Sequence, residues 1–187
     1  MNRMPYPESI DAKTKALLDA RPPRNVFRMM AHAPALMPGL MELTGAILYR
    51  AKLDPVSREL VVLRVGHLCG SHYEVEQHKK IAKACGLSQQ KIDGALAEEV
   101  DLDIYSKNEQ LVLRMAEEVV RNVKADDELF AATVAAFGHE QTMELLIVIG
   151  TYVMLAQVLE NAEVELEEGG GPKAEDVEKI FKSQKGS

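Results

Sequence analysis

Residues 57–92 read SRELVVLRVGHLCGSHYEVEQHKKIAKACGLSQQKI, and this stretch decides the fold. Its first part continues an apolar series, Val56, Leu60, Val61, Leu63, Val65 and Leu68, that runs nearly all the way round a helix. A helix that is apolar on every side belongs in the middle of a molecule. Asp54-Pro55 opens it, because proline suits the first helical turn, and Gly70 ends it. Ser71 and Glu74 then stand at the spacing of a capping box, starting a second helix that runs to Cys85. Gly86 follows where a left-handed residue closes a helix, and Ser88 restarts a short one through Ile92 and Leu96.

Working outward, the same helical grammar continues. Upstream, a short helix is predicted around residues 8–19, broken by Pro22-Pro23. Asn25 is placed to cap a helix through Phe27, Met29 and Met30 that stops before Pro34, and a Met-rich helix follows over residues 36–49. Downstream, a polar connection over residues 98–105 leads to a second capping box, Ser106-x-x-Glu109. The helix after it carries Leu111, Val112, Met115, Val119 and Val120 at helical spacing. Asp126 begins another that ends near Gly138, and the longest helical stretch runs from His139 to about Ala162. Strand alternation and 20–50-residue repeats are both lacking, so the fold class is all-α. The expected organisation is an N-terminal extension (1–24), a helical domain (25–168) and a C-terminal tail (169–187). The tail, set off by Gly169-Gly170-Gly171-Pro172, has a short amphipathic helix expected at 175–181 and reads as flexible or as an arm docking on a neighbouring subunit.

Composition narrows the function classes. The net charge is −7, and no Lys/Arg cluster offers the basic face that a nucleic-acid binder needs. Cys69 and Cys85 are the only cysteines and form no C-x-x-C pair or disulfide framework. The N-terminus lacks the apolar stretch of a signal peptide. The longest apolar run, Met143 to Leu159, is shorter than the roughly 20 residues of a membrane span and is interrupted by Glu144, Gly150 and Gln157. A cytoplasmic protein with a small-molecule substrate, no membrane and no nucleic acid is the expectation.

The groups suited to chemistry gather in the opening stretch: Glu59, Arg64, His67, Ser71, His72, Tyr73, Glu74 and His78. Glu59 lies on an otherwise apolar helix, where a carboxylate is solvent-facing, paired, or buried with a raised pKa. Glu74 and His78 are spaced i, i+4 and share one helix face. A carboxylate beside an imidazole fixes its tautomer and strengthens it as a general base. The plainer readings are that Glu74 is half of a capping box, that the arginines form surface pairs, and that the Met/Phe series (Phe27, Met29, Met30, Met37, Met41) is core rather than pocket wall. His67, His72, Glu74 and His78 could donate to a metal, but no H-E-x-x-H pattern is present, so neither metal nor cofactor is expected.

These residues carry a resemblance to a known family. The 57–92 stretch, together with NVFRMMAHAPALMPGLMELTGAILY upstream and NEQLVLRMAEEVV and LLIVIGTYVMLAQVLENAEVEL downstream, resembles the carboxymuconolactone decarboxylase family. That family includes the alkylhydroperoxidase D-like proteins. The resemblance covers roughly residues 24–166 and implies an alkylhydroperoxidase D-like helical bundle assembled as a homo-oligomer, a trimer or hexamer. The peroxidase branch carries a Glu, then C-x-x-C, then a His four residues after the second cysteine. Here Glu59 and His78 take the Glu and His positions, while Ser71 and Glu74 stand where the cysteines would be. Thiol peroxidase chemistry needs a thiolate and a resolving thiol, which Ser71 and Glu74 cannot supply.

The other branch resembles the lactone decarboxylases, which implies cofactor-free acid–base chemistry with an enolate-like intermediate. On that resemblance Glu59, His78 and Tyr73 are the catalytic candidates, the first two moving a proton and Tyr73 donating to an oxyanion. Arg64, Ser71 and Glu74 are the substrate-binding candidates, with Arg58 or Arg64 able to hold a carboxylate if either points inward. The substrate expected is a small lactone or carboxylated aromatic-degradation intermediate. This chain is longer than the strict lactone decarboxylases, which lack its N-terminal extension. The alternatives are a non-catalytic oligomeric protein of the same fold and, last, a redox protein using Cys69 or Cys85.

Overall fold

In the computed structural model, residues 3–20 and 22–168 are described. The helix expected at the centre is there. Asp54 takes the N-cap, accepting a 3.0 Å hydrogen bond from the Ser57 N–H, and Pro55 occupies the first helical position. All ten residues from Ser57 to Gly66 are buried, charged ones included. Counting in chain order, the helices are α1 (Ala12–Asp19), α2 (Asn25–Met30), α3 (Met37–Tyr49), α4 (Pro55–Leu68), α5 (His72–Ala84), α6 (Gln89–Ala95), α7 (Lys107–Asn122) and α8 (Asp127–Ala162). A 3-10 turn at Leu102–Ile104 lies within the polar connection, and no strand occurs among the described residues.

The helix α4 packs on α5, α7 and α8, while α6 closes one side against α4 and α5. Leu60, Val61, Val62, Leu63 and Val65 of α4 meet Val112, Met115 and Ala116 of α7 and Leu145, Val148 and Ile149 of α8 in one core. Close approach of α4 to α5 depends on Gly66, where an added Cβ would sit 3.1 Å from the Val75 Cγ2. Long α8 is broken at Gly138, whose φ of 72° and ψ of 174° are non-helical, so the expected division near that residue is observed. By length and composition α8 could cross a membrane, but half of its most apolar window is buried inside the molecule, as in a core helix.

Three local expectations are corrected. The first helix begins at Ala12 rather than near residue 8, because Asp11 is its cap, accepting from the Thr14 N–H at 2.9 Å. Asn25 is not the α2 cap: Arg24 holds that position, and the Asn25 side chain instead donates to the Glu165 carbonyl at 3.0 Å. The Ser106–Glu109 capping box closes as expected, but the one at Ser71–Glu74 does not, since no side-chain bond caps α5. The methionines Met29, Met37 and Met41 are core residues. The helix expected over 175–181 lies outside the described residues.

Candidate active site

Packing of α4 on α5 brings Glu59 and His78 together although 19 residues separate them. The His78 Nδ1 lies 2.7 Å from the Glu59 Oε2, with Glu59 fully buried and His78 only 8% exposed. On its other oxygen, Glu59 accepts a 2.9 Å hydrogen bond from the Arg58 Nε. Arg58 is itself fully buried and also donates to the Leu48 carbonyl at 3.3 Å. Burial pushes the Glu59 carboxyl upward, but His78 and Arg58 together outweigh it and hold the group below the usual carboxylate range. An ionised carboxylate only accepts, so the Nδ1 must carry the ring proton. That leaves Nε2 as the basic nitrogen of the neutral ring.

His78 lines a cavity of about 620 Å³, a size suited to a small organic ligand. Tyr73, Glu74 and Gln77 line it from the same face of α5, Tyr152 and Leu155 from α8, and Phe27 from α2. Of the Met/Phe series named in the sequence, only Phe27 belongs to this wall. The Tyr152 ring meets His78 edge-on, with centroids 5.0 Å apart and planes at 86°, which fixes the imidazole plane.

Glu74 is the unusual member. It is 3% exposed, and neither of its oxygens has a hydrogen-bond partner; the buried Ser71 hydroxyl is likewise unpartnered. Burial pushes the Glu74 carboxyl up to about 8, with Glu160 adding to the effect and the neighbouring Ser71 hydroxyl opposing it. At neutral pH it is therefore mostly a carboxylic acid, able to donate.

The remaining candidates lie elsewhere or are already engaged. Arg64 is buried but not at the cavity: its guanidinium bonds Glu117 (Nε to Oε2, 2.6 Å) and the carbonyls of Ala97 (2.6 Å) and Ala95 (3.3 Å). It ties α4 to α7 and to the end of α6, and the structure does not bring it together with Glu59 and His78. Tyr73 reaches the cavity, but its hydroxyl donates to the Glu167 Oε1 at 2.5 Å. Sequence reasoning missed Gln77, Tyr152 and Glu167. Gln77 was accessible to it, one residue before His78 and four after Tyr73 on a helix whose face was already in question. Among the described residues no group of three metal-ligating side chains converges.

Comparison with known proteins agrees with this architecture. Residues 34–118 match the model of the carboxymuconolactone decarboxylase family. Uncharacterized protein YdfG of Bacillus subtilis is 24% identical over 102 residues, which is 54% of this chain and 69% of that protein. An uncharacterized peroxidase-related protein of Ralstonia eutropha, described as an alkylhydroperoxidase AhpD core, superposes with a TM-score of 0.73 at 16% identity, covering 94% of each chain. A peroxidase-related protein of Silicibacter gives 0.73 at 12% identity, over 94% of this chain and 92% of its own. An Agrobacterium tumefaciens protein of unknown function, linked by its description to antioxidant defence, gives 0.66 at 20% identity, over 73% and 93%. At these identities the solved structures establish the fold alone.

Proposed function

We propose that this chain, which belongs to the carboxymuconolactone decarboxylase family, is a cofactor-independent acid–base lyase or isomerase acting on a small lactone or carboxylated aromatic-degradation intermediate. The observation that carries the reading is the buried Arg58–Glu59–His78 series ending at a cavity beside the unpartnered Glu74 acid. His78 Nε2 takes a proton from a carbon next to the substrate carbonyl. The resulting imidazolium is stabilised by Glu59, whose own charge Arg58 balances in the core. Glu74 then delivers a proton to the carbon or oxygen where the electron pair has come to rest. In a decarboxylation, the pair released from the broken C–CO2 bond forms the enolate, and proton delivery to carbon completes the step. Such a positioned acid and base contribute roughly 10²–10⁴-fold each.

The peroxidase descriptions of the Ralstonia and Silicibacter proteins are not carried over. Ser71 and Glu74 supply no sulfur, and burial, assisted by Glu74, raises the Cys69 thiol above its ordinary range. The same reading makes the protein a cytoplasmic homo-oligomer, a trimer or hexamer. Self-association is supported by an apolar stripe on α8, where Met143, Ile147 and Met154 are 57%, 42% and 38% exposed. Sedimentation checks the assembly. The chemistry is tested by a panel of carboxylated lactones in D2O, following CO2 release and deuterium incorporation. Turnover that His78→Gln abolishes supports the reading, and turnover that survives this change overturns it.

A further inference from the structure

The segment after α8 does something the acid–base reading does not use. Glu163 adopts a left-handed conformation (φ 51°) and turns the chain back, so that Val164 and Leu166 pack beside Met29 and Tyr73. Glu167 then reaches the side of the cavity. Its Oε1 accepts from the Tyr73 hydroxyl at 2.5 Å and from the Asn25 backbone N–H at 2.6 Å, and its Oε2 accepts from the Gln77 side-chain amide. Three donors from two helices thus converge on one carboxylate. Two of them, Tyr73 and Gln77, are cavity-lining residues one helical turn apart, adjoining the Glu74 and His78 pair. Burial and the Glu167 charge push the Tyr73 phenol upward, so it stays a donor.

We propose that Tyr73, Gln77 and the Asn25 N–H form a carboxylate-recognition subsite for the ligand of the His78 cavity, occupied in the free chain by Glu167 as a tethered competitor. The proposal rests on the preceding section for the ligand class, a small carboxylate, and not for the chemistry. Three donors left empty beside an apolar pocket are costly, so the contact favours exchange of one carboxylate for another over simple opening. Because Glu167 is tethered, a free carboxylate displaces it only by binding the three donors with better geometry or by outweighing the tether's effective concentration. Glu167 lies only four residues beyond the turn at Glu163, on a segment that the Asn25–Glu165 bond and the Val164 and Leu166 side chains seat against α2 and α5.

The test is calorimetric titration of the full-length protein with benzoate and with benzamide, its uncharged counterpart. Glu167→Ala and Glu167→Gln should each bind benzoate at least tenfold more tightly than the unaltered chain, with benzamide unchanged. Adding Tyr73→Phe and Gln77→Leu to Glu167→Ala should remove the gain, with circular dichroism confirming that each variant is folded. Equal benzoate affinity with and without Glu167, no binding to any form, or a gain that survives loss of Tyr73 and Gln77 would overturn the proposal. Binding is read without turnover. Failure here with His78-dependent proton transfer intact leaves the acid–base reading standing, and the converse holds equally.

Discussion

The imidazole of His78 and the carboxylate of Glu59 meet at 2.7 Å inside the molecule, and Arg58 closes the series from behind at 2.9 Å. Breaking this arrangement has a structural as well as a chemical cost. Glu59→Gln leaves the fully buried Arg58 without its counter-charge, and removing one partner of a buried pair costs about 3–5 kcal/mol. Loss of activity in that variant is therefore confounded by lost stability. The double change Arg58→Met/Glu59→Leu removes both charges and should recover most of the stability in urea melts while remaining inactive. Recovery of activity along with stability would show that the pair serves the fold alone.

Glu74 gives a pH signature of unusual sign. Its folded pKa, about 8, lies above its ordinary value of 4.5, so the folded state holds a proton that the unfolded state releases between those values. Stability therefore falls as pH rises from about 4.5 to 8, by on the order of a few kcal/mol. Glu59 acts oppositely: its depressed folded pKa stabilises the fold above 4.5, and that contribution is lost as pH falls through the folded value. Thermal melts of the unaltered protein and Glu74→Gln should agree near pH 4.5 and diverge toward pH 8, with the variant the more stable. A constant difference across that range contradicts a buried, unpartnered acid.

The two thiols should be idle. Cys69 is raised by burial and Cys85 is pushed up to about 12 by burial, with Glu59 adding to it, so neither is a thiolate at neutral pH. Cys69→Ser/Cys85→Ser should leave any consumption of hydrogen peroxide unchanged. A real peroxidase turnover lost with these sulfurs would reverse the assignment.

Val123 closes α7 with a φ of 66°, a conformation that β-branched residues resist, and its side chain is 87% exposed. Little packing is lost on truncation there. Val123→Gly should therefore stabilise the protein by about 1 kcal/mol in urea unfolding. Unchanged or lowered stability would mean that this residue makes a contact in an assembled form.

The sequence displayed the helices clearly because their punctuation is local: Asp54-Pro55, Ser106 with Glu109, Gly86 and Gly138 each act within a turn of their own position. It also showed the Glu59–His78 relationship, through spacing and family resemblance. It misjudged groups whose partners are decided by tertiary packing. Ser71 and Glu74 have capping-box spacing, yet burial leaves both unpartnered, which no local pattern discloses. Arg64 looked available for a substrate, but the end of α6 and Glu117 had already claimed it from a distance of more than 30 residues. Glu167 lies just before the Gly169–Pro172 stretch that sets off the tail, and only the reversal at Glu163 shows that it returns to Tyr73.

The central claim is that Glu59 holds His78 in one tautomer with its basic nitrogen turned to the cavity. Long-range nitrogen–proton correlation spectra of the ¹⁵N-labelled protein at a pH where His78 is neutral read this directly. The account predicts a protonated Nδ1 and a bare Nε2 for His78, with that preference lost in Arg58→Met/Glu59→Leu. A protonated Nε2 facing the cavity, or the same tautomer in both proteins, would contradict it.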